Sequence, residues 1–140
     1  ILGGYKITCK FKIVAHSDGD VLLHSIADSI LGAAGLGDIG MFFSDQDIQN
    51  KNLDSTLIIE HCLNELNKMD LEIYNIDTTI ICENPKINPH REKILKNLSA
   101  ILKVPMKKIG LKATTSEKIG IIGNNEAISV QSIVNLKDLS

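Results

Sequence analysis

The sequence predicts an α+β fold, a single-domain two-layer sandwich in which a mixed β-sheet is covered by helices on one face. Three observations carry this. The apolar periodicity runs β(β)-α-α-β-α-β-β along the chain, which is not the strict βα alternation of a doubly wound sheet. Residues 73–82 hold Ile73, Ile76, Thr78, Thr79, Ile80 and Ile81, a β-branched run whose near-continuous apolar end suits a central strand. The 140 residues, 44% hydrophobic and 23% charged, suffice for one domain with a real core, and no repeat, linker or low-complexity tract divides them.

Residues 5–14 alternate polar and apolar at first and carry β-formers, which predicts a strand or hairpin arm. A helix over roughly 20 to 34 follows, closed by Gly35 and Gly37. Asp38 to about Leu53 has no clean period and is rich in polar residues, so it reads as a long loop of the functional or mobile kind. Asp54-Ser55-Thr56 caps a second helix with Leu57, Ile58, Cys62, Leu66 and Met69 as its apolar stripe, and His61 beside Glu60 and Glu65 as a solvated side chain. After the central strand, residues 83–86 turn the chain. Asn88 and Pro89 then open a third helix to about Lys103, with Ile94, Leu98, Ile101 and Leu102 inward. Residues 109–115 form a short strand that runs into a polar turn at 112–118, and a closing strand spans 126–136. The sheet face away from the helices would carry Ile128, Val130 and Ile133, an apolar surface that asks for a second copy.

Bulk properties exclude several function classes. A net charge of −2 with Arg91 as the single arginine argues against a phosphate-tracking nucleic-acid surface. No apolar run reaches the roughly 20 residues of a membrane span, and the start has no signal-peptide pattern. Cys9, Cys62 and Cys82 are widely separated and read as reduced thiols, not as a disulfide framework. The opening Ile1-Leu2-Gly3-Gly4 looks like the middle of a hairpin, which predicts a preceding segment.

The chemistry-bearing stretch is Ala15 to His24. Asp20, His24 and Asp28 recur at four-residue spacing on one helical face, while Leu22, Ile26, Ile30 and Ala33 mark a neighbouring dry face. His16, Ser17 and Asp18 precede the first turn, where Ser or Asp caps a helix and free N–H groups favour phosphate. That arrangement suits a phosphate or a metal. It equally suits plain caps, since two His eight residues apart are not a metal motif by themselves. Beyond the helix, residues 35–47 add glycines and the carboxylates of Asp38, Asp45 and Asp47, so two polar clusters flank one helix. Thr114, Thr115 and Ser116 fit either a site or a turn whose hydroxyls bond their own backbone.

Five segments in order, His16-Ser17-Asp18-Gly19-Asp20 with His24 beyond, residues 31–40, residues 43–47, residues 85–90 and residues 112–120, together resemble the 2-C-methyl-D-erythritol 2,4-cyclodiphosphate synthase family over essentially the whole chain. The resemblance implies an enzyme of the non-mevalonate isoprenoid pathway, a homotrimer with active sites between subunits, that cyclises a CDP-linked methylerythritol phosphate and releases CMP. It implies zinc on His24 together with an Asp-x-His pair that would lie before Ile1, and Mg or Mn with the substrate diphosphate on Glu117. By the same resemblance His16 and Thr115 stabilise the transition state, and His16 and Ser17 bind phosphate. Asp38, Ile39 and Gly40, with Phe43, Ser44, Asp45, Gln46 and Asp47, hold the ribose and methylerythritol end. Cys82, Glu83, Asn84, Pro85, Lys86, Ile87 and Asn88, with Thr114, Thr115, Ser116 and Glu117, take the cytidine side. Ile121, Asn124 and Gln131 stand where many members carry Phe, Arg and Glu around the trimer axis, so an isoprenoid diphosphate ligand there is not expected. The expected partners are the cytidine-linked substrate and two further copies, with no nucleic acid and no membrane. The alternative is a non-catalytic trimeric nucleotide-binding module. Ile, Lys and Asn abundance beside one Arg is the bias of A/T-rich codons, which with the family's compartments leans toward a plastid of apicoplast type, the bacterial cytoplasm being the alternative.

Overall fold

Asp20 starts the first helix: its carboxylate accepts from the N–H of Leu23, and α1 (Val21–Ala33) buries Leu22, Leu23, Ile26, Ala27, Ile30 and Leu31. A computed structural model of the chain describes residues 1–140. Beyond α1 come the short α2 (Ile39–Phe42), α3 (Ser55–Lys68), β1 (Leu71–Ile81), α4 (Arg91–Leu102), β2 (Ile109–Thr114), the short α5 (Gly120–Gly123) and β3 (Ser129–Asp138). The sheet runs β2-β1-β3, with β1 parallel to β2 and antiparallel to β3. The β1–β2 pair needs its long crossover, which α4 supplies, and the central place read for residues 73–82 holds.

Helices α1, α3 and α4 lie on one face, α1 over β3 and α4 over β2. Ile76, Thr78 and Ile80 of β1 point into that layer with Ile109, Leu111 and Val134. Thr78, fully buried, is satisfied through a hydroxyl chain: Ser25 Oγ donates to Ser132 Oγ at 2.9 Å, and Ser132 Oγ to Thr78 Oγ1 at 3.0 Å.

Three expectations are corrected. Residues 6–15 form no strand, and the only pairing near the start is an isolated Leu2–Tyr5 bridge. Both sides of β1 are used by β2 and β3, and the 6–15 segment joins neither outer edge, so its alternation has no ladder to enter. In α3 the buried stripe is Ile58, Ile59, Cys62 and Leu66, whereas Leu57 is exposed because it lies at the edge of that stripe, and Met69 because it is the C-cap, past the last turn that packs. The open sheet face is also not apolar. Register pairs Ile80 with Val130 and Asp77 with Ile133, so Val130 turns inward and packs, with Ile128, against the core, while Ile133 alone points out at 69% exposure. Around Ile133 stand an Asn135–Asn75 hydrogen bond of 2.8 Å and a Lys112–Asp77 ion pair of 2.7 Å.

The thiols divide by burial. Cys62 is fully buried, and burial, followed by the Asp28 and Glu65 charges, pushes its thiol up to about 12. Burial also pushes Cys82 up, while Cys9 is exposed. Because only the thiolate reacts, a brief maleimide pulse on the native chain is expected to label Cys9 alone, with Cys62 slower by about 10³-fold until the chain unfolds. Peptide mass spectrometry of the pulsed sample checks it.

Candidate active site

Three residues before the N-terminus of α1 compete to cap it, and the structure divides the work among them. Asp20, fully buried, takes the cap. Its carboxylate accepts from Leu23 N at 3.0 Å, Gly3 N at 2.9 Å and Gly4 N at 2.7 Å. It therefore is not on the wet face that its spacing to His24 suggested, because the N–H donors of the chain's start close over it. Burial pushes its carboxyl above the ordinary value, Asp18 adding to this, against the pull of the N–H groups of Gly4, Leu23 and Gly3.

Asp18 reaches the other way, to α3. Its Oδ2 accepts from Ser55 N at 2.8 Å, and its Oδ1 from Ser55 Oγ at 2.5 Å and Asp20 N at 3.0 Å. Burial raises the Asp18 carboxyl, but the Ser55 hydroxyl and N–H, the Asp20 N–H and nearby His24 together outweigh it and hold the group below the usual value. Ser55 Oγ in turn lies 2.8 Å from His24 Nε2, and Ser17 Oγ lies 3.3 Å from the same nitrogen. Asp28, the third member of the expected face, is exposed and accepts from Ile39 N at 2.9 Å, tying α2 to α1.

His16, Ser17 and His24 open onto a cavity of about 440 Å³ whose other wall is Ile39, Gly40, Phe43, Ser44 and Asp45. Ala15, together with Asn50, Leu53 and Ile58, which the sequence did not mark as site residues, completes it. Asp38, Gln46 and Asp47 do not line it. Asp38 caps α2 through Met41 N and Asp47 caps the 3-10 turn Ile48–Asn50 through Gln49 N, so those carboxylates are spent on local backbone. The long loop is held in place by Asn50 Nδ2 donating to Ser44 O at 2.7 Å and by Asn52 N donating to His16 O at 2.9 Å. His61 belongs here too. It is not solvated but half-buried between Phe42 and Phe43, with ring centroids 4.6 and 5.3 Å away, so it pins the loop to α3.

The second group forms at the carboxyl ends of the parallel strands β1 and β2, where α/β sheets collect ligands. Cys82 N donates to Thr114 O at 3.0 Å. Glu83 Oε1 accepts from Lys118 N at 2.9 Å and from Ser116 N and Oγ at 3.3 and 3.4 Å, so this carboxylate fixes the turn. Cys82 and Ile87 are buried, which leaves only their backbone groups to meet a ligand, while Asn84, Lys86 and Asn88 are exposed and Pro85 half-buried. Thr114 Oγ1 and Thr115 Oγ1 make turn bonds, to Thr115 O at 3.4 Å and from Glu117 N at 3.2 Å. Glu117 and Lys118 adopt left-handed φ of 55° and 61°, strained for such residues. The turn needs glycine at 123, where a Cβ would lie 2.2 Å from the Lys118 carbonyl carbon. The Glu117 carboxylate enters no hydrogen bond or ion pair and faces solvent.

No hydrogen bond or ion pair joins the two groups, and nowhere do three His, Cys, Asp or Glu side chains come together to hold a metal. His24 and Glu117 thus fit as one donor each, an imidazole and a free carboxylate, in coordination shells that this fold does not complete by itself. No helix is long and apolar enough to cross a membrane.

Known proteins share this arrangement across the chain. The YgbB family model matches residues 1–137. The bifunctional enzyme IspD/IspF of Aliarcobacter butzleri is 47% identical over 97% of this chain, which spans 36% of that protein's length. The 2-C-methyl-D-erythritol 2,4-cyclodiphosphate synthase of Leptospira interrogans is 47% identical over 91% of this chain and 80% of its own. The structure of the Plasmodium falciparum IspF CDP complex superposes with a TM-score of 0.89 at 36% identity, covering 99% of this chain and 83% of that one. The family model runs nearly end to end, and this chain belongs to the YgbB family.

Proposed function

We propose that this chain converts 4-diphosphocytidyl-2-C-methyl-D-erythritol 2-phosphate to 2-C-methyl-D-erythritol 2,4-cyclodiphosphate, as a phosphorus–oxygen lyase of the non-mevalonate isoprenoid pathway. The observation that carries this reading is the gathering of His16, Ser17 and His24 with Ile39, Gly40 and residues 43–45 around one cavity. The 47%-identical Leptospira relative bears the name of this activity, and a 36%-identical relative has been solved with CDP.

The reaction forms a bond from a 2-phosphate oxygen to the outer phosphorus of the diphosphate. It breaks that phosphorus's bond to the bridging oxygen, and the oxygen leaves with CMP. Two mutually repelling anions must be brought in line, so positioning dominates catalysis. His16 and Ser17 hold the phosphate, Ile39, Gly40 and Phe43 exclude water from the methylerythritol end, and Thr115 and Glu117 meet the diphosphate on the cytidine side. We assign a zinc or similar ion to His24 and Mg or Mn to Glu117 with the substrate diphosphate; bound there, such ions supply Lewis-acid charge neutralisation.

The site is composite in a homotrimer. The first group hangs on α1 over β3 and the second on the ends of β1 and β2, and no hydrogen bond, ion pair or three-ligand cluster joins them within one chain, which supports each pocket being built from two copies. The compartment we favour is the bacterial cytoplasm, since the 47%-identical relatives are bacterial and the plastid reading rests on codon bias.

Incubating the full-length protein that contains this chain with substrate, zinc and Mg and following phosphorus by NMR tests the reading. Equal release of CMP and cyclic diphosphate is expected. CDP binding with no CMP formed would overturn it in favour of the non-catalytic nucleotide-binding module.

A further inference from the structure

The hydroxyl of Ser55 has a single proton, and its neighbours decide where it goes. Asp18 Oδ1 lies 2.5 Å away and already accepts from Asp20 N, while Asp18 Oδ2 accepts from Ser55 N, so both carboxylate oxygens act as acceptors. The Ser55 proton therefore points to Asp18. Its oxygen can then meet His24 Nε2, 2.8 Å away, only by accepting, which requires the proton on Nε2. Ser17 Oγ, 3.3 Å from Nε2, shares that N–H and keeps its own proton for the cavity. Ser55 is fully buried, so water does not compete for its bonds, and it opens α3, whose N-terminus Asp18 holds.

We propose that Asp18 and Ser55 are positioning residues that fix His24 as its Nε2–H tautomer and so present Nδ1 as the one electron-pair donor of the ring. Nδ1 makes no hydrogen bond, and His24 borders both the 440 Å³ cavity and a second one of about 670 Å³ between α1 and β3. The acceptor that suits a neutral, oriented imidazole of this kind is a divalent cation, and this step rests on the metal assignment made above for His24.

The test is the side-chain nitrogen spectrum of His24 in the ¹⁵N-labelled, metal-free full chain, at a pH where the ring is neutral. Pyrrole-type Nε2 and pyridine-type Nδ1 are expected. Ser55→Ala should give mixed tautomers and weaken zinc retention by about 10–100-fold, while Ser55→Thr, which keeps a hydroxyl, should restore both. Asp18→Asn, which removes the ionised acceptor, gives the same readout if Ser55→Ala fails to fold. A native Nδ1–H tautomer, or nitrogen shifts indifferent to Ser55→Ala and Asp18→Asn, overturns the proposal. If the tautomer is as stated but zinc leaves Nδ1 unshifted, the metal assignment at His24 falls and the relay stands.

Discussion

Asp20→Ala is expected to lower the stability of the fold by about 2–6 kcal/mol, since the buried N–H groups of Gly3 and Leu23 lose their acceptor at once and each orphan donor costs about 1–3 kcal/mol, while the exposed Gly4 N–H can turn to water. Against a typical total of about 5–15 kcal/mol this brings the chain near unfolding. Two things converge on that carboxylate. It opens α1, whose first turns carry Leu22, Leu23 and Ile26 into the core, and it pins the start of the chain over α4. Gly3 fits there because a Cβ would meet Ile94, Leu98 and Leu22 at 3.0–3.2 Å. Asp20→Asn keeps one carbonyl oxygen for Gly3 and Leu23 and loses the acceptor for Gly4, so it should fall between wild type and Ala. Urea midpoints at unchanged m-value decide it, and a loss under about 1 kcal/mol would mean that water replaces the carboxylate.

His24→Ala is expected to reduce cyclisation by at least about 10³-fold, or about 4 kcal/mol of barrier, with little loss of stability. Ser55 Oγ keeps its bond to Asp18 when the imidazole goes, so no buried group is stranded. Glu117→Ala should inactivate to a similar degree while sparing the fold, because its carboxylate bonds nothing. In a ring where each pocket takes His24 from one copy and Glu117 from the next, a random equal mixture of the two dead variants should recover about a quarter of wild-type turnover. Pockets contained in one chain predict none. The mixing assay therefore reads out the composite site directly.

Much of this was legible in the sequence. The three long helices and the central strand declared themselves through period and caps, because those signals are local. The misreadings arose where the deciding partner is distant. Residues 5–14 have a strand's alternation, but alternation cannot supply a neighbour. Ser17, Asp18 and Asp20 are all competent caps within four positions, and only the docking of Gly3 and Gly4 selects Asp20. Ser55 looked like a helix start and nothing more, since its link to His24 spans 31 residues. In the last strand the period itself decides: 128 and 130 share parity and 133 does not, so the three cannot form one face.

The hydrogen bonds from Gly3 and Gly4 to Asp20, 17 and 16 residues along, draw a loop shut at its neck. A loop closed in this way is insensitive to its own length, because doubling it adds only about 0.6 kcal/mol of closure entropy. The unladdered stretch within it lends no side chain before Ala15 to the 440 Å³ cavity. It is thus the place in this chain where insertions and deletions can accumulate among relatives without moving His16 or His24.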